Sequence, residues 1–216
     1  MQGAAAEGPV TKTNAGRLTN AIFAFTFLLL FKNIRTPSFE GYASNTTIHQ
    51  FGLMQLPDIL NFLNVFLILA MIWFVTFHVF HQTGMIDRTF LYLHFVLLMF
   101  VIFIPITSNL ATVFPGNAAI SVLFHINMLA IGLMLAFEWR HCQRNPGLLK
   151  PGVHKAGPPC IRTGILYIPL TAIAGIVLAN FDLPYTQYIY FLAMLAFAIT
   201  GAGMLDSGIQ RPAVKP

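Results

Sequence analysis

Six apolar runs, each about as long as a hydrocarbon core is thick, leave this chain few folds to choose from. A helix rising 1.5 Å per residue needs roughly 20 apolar residues to cross about 30 Å of lipid. Runs of that order recur at residues 17–34, 58–82, 88–114, 117–139, 162–181 and 185–205. Lipid offers no water to unpaired backbone groups, so each run must be helical to satisfy itself. Pro37, Pro57, Gly84, Pro115-Gly116, the stretch from Pro146 to Pro159, and Pro184 punctuate the runs with helix breakers. Only 9% of the 216 residues are charged and 56% are hydrophobic, whereas soluble domains carry about a quarter charged residues. No stretch remains for a soluble domain. The expectation is an all-α integral membrane protein of six transmembrane helices, with residues 1–16 a disordered tail, 17–206 the membrane domain and 207–216 a second tail.

Basic residues orient such a chain, because Lys and Arg of short loops are retained on the cytoplasmic side. With the N-terminus inside, Lys12, Arg17, Arg88, Arg140, Arg144, Lys150, Lys155, Arg162, Arg211 and Lys215 are cytoplasmic, leaving Lys32 and Arg35 outside. Both termini are therefore expected in the cytoplasm, in a multi-pass protein of the cell membrane. The net charge of +5 then reflects attraction to anionic lipid rather than to nucleic acid. The apolar stretch from Ala21 to Phe31 runs straight into Lys32 and Arg35, which reads as a retained helix rather than a signal peptide.

Chemistry is sparse. Cys142 and Cys160 flank the Pro/Gly-rich connection, and with His141 and His154 they match no compact zinc spacing; no metal and no cofactor are expected. There is no hydrolase motif, phosphate-binding glycine loop or nucleophile beside a base, and so nothing that reads as an enzyme. All seven acids, Glu7, Glu40, Asp58, Asp87, Glu138, Asp182 and Asp206, fall in tails or near helix ends. No buried carboxylate is expected as a proton or sodium carrier. Polar groups at membrane depth are then the functional candidates: His78 and His81 late in the second helix, His94 early in the third, His125 in the fourth, and Asn20 on the first. Helix packing, a cation gate and bis-histidine haem ligation all remain open for the histidines.

On the first helix, Arg17-Leu18-Thr19-Asn20-Ala21-Ile22-Phe23-Ala24-Phe25, then Leu28-Leu29-Leu30 and Pro37, resembles the opening of the transmembrane protein 175 family. Trp73, Asp87, His94 and Ile104-Pro105 follow the same layout, so the resemblance covers roughly residues 17–140. It implies a potassium-permeable leak channel without the usual filter loop, a homo-tetramer in prokaryotic members, with the first helix lining the pore. Carried over by position, the pore constriction falls on Phe25, Leu29 and Lys32. The family's Phe-Ser-Asp falls on Leu18-Thr19-Asn20, beside Arg17, so the acid is here an amide. Its Trp-x-x-His falls on Trp73 and Thr76, with His78 two residues on, and His94 stands for an asparagine. These departures suggest a neutral network of Asn20, Thr76 or His78, and His94. Beside this channel for monovalent cations stand two other classes, a haem-binding redox protein and a non-conducting membrane scaffold of the same fold.

Overall fold

The computed structural model describes residues 12–32, 45–153 and 157–202. Its helices are α1 (Lys12–Phe31), α2 (Asn45–Gln82), α3 (Arg88–Val113), α4 (Ala118–Arg144), α5 (Pro159–Ala179) and α6 (Ile189–Ala202). Five of them have the length and apolarity to cross a membrane; α6, preceded by a 3-10 turn at Thr186–Tyr188, is a shorter apolar helix. The molecule is an all-α membrane protein. Several boundaries differ from the sequence expectation. α1 begins at Lys12, so residues 12–16 are helical rather than tail. α2 runs through Pro57, which was expected to precede it; a proline costs a helix one amide donor, and packing on either side outweighs that loss. α4 continues to Arg144, past the expected end near Trp139. Glu7, Arg35, Glu40, His154, Lys155, Asp206, Arg211 and Lys215, with residues 1–11 and 207–216 of the expected tails, lie outside the described residues.

The third helix begins where the sequence puts it. The Asp87 side chain accepts from the Phe90 amide at 2.8 Å and caps the open donors of the first turn. Its other oxygen accepts from His141 Nε2 at 2.8 Å, tying the end of α4 to the start of α3. Burial alone would raise the Asp87 carboxyl, but the Phe90 amide and His141 outweigh it and hold it below its ordinary value.

The core gathers around α2, whose Val65, Ile68, Leu69, Ile72 and Val75 are fully buried and which touches α1, α3, α5 and α6. α4 and α5 approach most closely at glycines. A Cβ on Gly132 would lie 2.7 Å from Pro169 Cδ, and one on Gly175 would lie 2.2 Å from His125 Cε1. Small residues let helices meet where lipid supplies no hydrophobic drive between them. The α4–α5 connection folds back onto the end of α2: Gly84 N donates to Leu148 O at 2.7 Å and Lys150 N to Gln82 O at 3.0 Å. Lys12 Nζ also donates to Thr83 O. The start of α1, the end of α2 and the α4–α5 loop therefore share one end of the bundle.

Candidate functional site

α1 has two faces. Thr19, Phe23, Thr26 and Leu30 recur at helical spacing and are buried, against α2 and α3. Leu18, Phe25 and Leu28 on the opposite side are 42%, 53% and 69% exposed, and Lys32 continues that stripe, also exposed. Of the residues expected at a constriction, Phe25 and Lys32 thus lie on the uncovered face and Leu29 is partly covered at its border. Arg17 and Asn20 are exposed.

The buried face of α1 meets an ionisable pair. Thr19 Oγ1 stands 2.8 Å from His94 Nε2, and His94 Nδ1 stands 3.0 Å from Glu138 Oε1. All three are sealed, at 3%, 1% and 0% exposure. Thr19 has one hydroxyl proton, which it gives to the Ala15 carbonyl at 2.8 Å, so toward Nε2 it accepts. The ring therefore gives Nε2–H to Thr19 while Nδ1 shares a hydrogen bond with the Glu138 carboxyl, a chain of contacts that joins α1, α3 and α4. Phe80 and Phe90 pack on the ring with centroids at 4.8 and 6.0 Å. Glu138 Oε2 is buried with no hydrogen-bond partner among the described residues.

Glu138 corrects the sequence expectation that no carboxylate is buried. Because α4 extends to Arg144, Glu138 sits inside the helix rather than at its end. Phe124, Met128, Ile131, Leu135 and Cys142 are all fully buried and step by three or four residues, and Glu138 fills the next place on that stripe. That register was the signal available in the sequence.

The expected neutral network is divided. Asn20 does not reach His94; its Oδ1 accepts from Trp73 Nε1 at 3.0 Å, on the outer surface of the α1–α2 pair. His78 Nδ1 donates to the Phe74 carbonyl of its own helix at 2.8 Å, and Phe74 and Phe77 flank its ring. Thr76 is 1% exposed and its hydroxyl has no hydrogen-bond partner among the described residues. The site thus comprises a buried contact, Thr19 to His94 to Glu138, and a surface contact, Asn20 to Trp73, made by adjacent residues of α1 at nearly the same depth and both gripping that helix.

His125 belongs to a separate layer, 3.0 Å from Thr186 Oγ1 through Nε2 and 3.3 Å from the Tyr190 hydroxyl through Nδ1. With both ring nitrogens of His94 and of His125 engaged, neither presents a free lone pair to a haem iron. Ser108 donates to Asn61 Oδ1 at 2.6 Å and Asn64 Nδ2 to Gln187 O at 3.0 Å, so this layer stitches α2, α3, α4 and the start of α6 together.

Residues 15–105 match a family model described as endosomal/lysosomal potassium channel TMEM175. No curated protein matches the chain. Among solved structures, a lysosomal potassium-selective channel TMEM175 homologue from Chamaesiphon minutus shares the fold with a TM-score of 0.64 at 17% identity, over 89% of this chain and 97% of that one. A threonine-to-alanine variant of the potassium channel MtTMEM175, solved with a nanobody–MBP fusion, aligns with a TM-score of 0.59 at 14% identity, over 89% and 93%. At these identities the structural likeness speaks for the fold.

Proposed function

We propose, taking as premise the TMEM175 family that the sequence match and the shared fold support, that this multi-pass membrane protein is a potassium-permeable channel. It is a family of ion channels and not of enzymes. In this reading the chain assembles as a homo-oligomer, a tetramer in the family's prokaryotic pattern, in the cell membrane with both termini cytoplasmic. The observation that carries it is the uncovered stripe of α1, Leu18, Phe25, Leu28 and Lys32, set opposite a fully buried stripe on the same helix. Copies brought together on that face would ring an axis with Phe25, an apolar constriction that gates by wetting. Lys32, toward the other end of α1 from Lys12, would add a ring of positive charge that opposes cations and lowers their flux.

Potassium, sodium and chloride flux through the purified protein in liposomes tests the reading. Potassium flux that rises in Phe25→Ala supports it. Intact oligomers with no flux in either protein would replace it with the non-conducting scaffold.

A further inference from the structure

The start of α1, the end of α2 and the α4–α5 loop converge at one end of the bundle. Backbone bonds from the α4–α5 loop hold Lys150 beside Gln82, and Lys12 of α1 is anchored on the Thr83 carbonyl. Lys12, Lys150 and His81 thereby line one open cleft of about 420 Å³. Among the described residues, no carboxylate lines it. Two ammonium groups held together in this way repel, with a force that the nearby low-dielectric membrane screens less than bulk water does. A backbone bond sets the main chain at Lys150 and a bond to the Thr83 carbonyl sets the Lys12 ammonium, so the cleft is formed before any ligand arrives.

The opposite wall supplies a different chemistry. Trp73 and Phe77 stack at 5.6 Å and, with Thr76, line the same cleft. Thr76 is 1% exposed and its hydroxyl is unpartnered among the described residues, a group that an acceptor oxygen would satisfy. An aromatic wall inside the apolar span suits the glycerol and acyl carbons of a lipid, and clustered lysines at the end of the span attract anionic headgroups.

We propose that this cleft binds a phosphate group, carried on the headgroup of an anionic lipid, with Lys12 and Lys150 as its charge partners and the Thr76 hydroxyl as a donor. The aromatic wall covers the glycerol and upper acyl carbons. Such a ligand would bridge the start of α1 to α2, and its binding does not depend on whether the protein conducts.

Purified full-length protein in neutral detergent is titrated with dioctanoyl phosphatidic acid, with dioctanoyl phosphatidylcholine and with inorganic phosphate. Tryptophan emission follows each titration, since Trp73 lies in the wall and the chain has 2 tryptophans. The expected result is a saturable response to phosphatidic acid, absent with phosphatidylcholine, and about tenfold weaker or more in Lys12→Gln/Lys150→Gln, as loss of charge-assisted contacts implies. Lys150→Gln alone, changing an exposed side chain, should weaken binding without disturbing the Lys12 anchor. Native mass spectrometry, counting retained phosphatidic acid on each variant, reads the same site independently of fluorescence. An equal response to inorganic phosphate overturns the lipid as the source. Phosphatidylcholine binding as tightly as phosphatidic acid, or variants that bind as wild type does, overturns the site.

Discussion

His94 and Glu138 meet at 3.0 Å with 1% and 0% of their side chains exposed, a contact that ties α3 to α4 and, through Thr19, to α1. Burying two ionisable groups is costly unless each keeps its partner. Glu138→Ala would leave the buried His94 ring without its partner on α4, and a loss of about 3–5 kcal/mol is expected. His94→Leu/Glu138→Met, which removes both polar partners together, should come out near neutral. Thermal unfolding of the detergent-solubilised protein, followed by size exclusion, compares the three. A double variant as unstable as the single one would mean that the pair is held by something other than its mutual contact.

Phe23 and Phe25 are two residues apart and face opposite ways, at 2% and 53% exposure. Phe23→Ala should destabilise by about 3–5 kcal/mol, the cost of truncating a core aromatic. Phe25→Ala should leave the thermal midpoint near that of wild type and raise potassium flux in liposomes. A Phe25→Ala protein that loses its fold and gains no flux would place that side chain in a packed contact instead of a pore.

Lys32→Gln removes the positive ring expected on the α1 stripe. Potassium flux should rise severalfold while chloride flux falls, measured in the same vesicles. Unchanged selectivity would take Lys32 out of the ion path.

A methyl group at Gly175 has no room, since its Cβ would stand 2.2 Å from the His125 ring. Gly175→Ala should cost about 1–3 kcal/mol, the usual range for overpacking. Combining it with a smaller residue at position 125, His125→Ala, should recover part of the loss. Thermal midpoints of the single and double variants decide the matter.

Asp87→Ala should cost about 0.5–2 kcal/mol through the lost cap on α3. The Asp87 carboxyl is held below its ordinary value, so its contribution is fully present above the unfolded value of about 3.9 and fades as pH falls through the lower folded value. Asp87→Asn should therefore flatten the acid side of the stability profile in that window. Thermal midpoints recorded from about pH 6 down to about pH 3 would reveal it.

Much of the architecture was legible because lipid imposes a strict length on apolar runs and forbids unpaired backbone. The start of α3 at Arg88 followed from the apolar run that begins there, and the cap from Asp87 is what the structure adds. Of the resemblance read over roughly residues 17–140, the family model matches 15–105. Pro57 was read as a boundary because its lost donor is a local fact, whereas the packing that carries α2 through it is not.

Partners were a different matter. Asn20, Thr76, His78 and His94 lie at similar depth, and depth follows from counting residues along a helix. Which of them touch depends on how each helix is rotated about its axis, and rotation is decided by the neighbours it packs against. That rotation hands His94 to Thr19 and Glu138, hands Asn20 to Trp73, and turns His78 back to its own helix. Glu138 illustrates the division most clearly: the sequence by itself determines a helical stripe that includes it, through steps of three and four residues. Only the tertiary structure decides that this stripe faces α3, where His94 stands to hydrogen-bond the buried carboxyl.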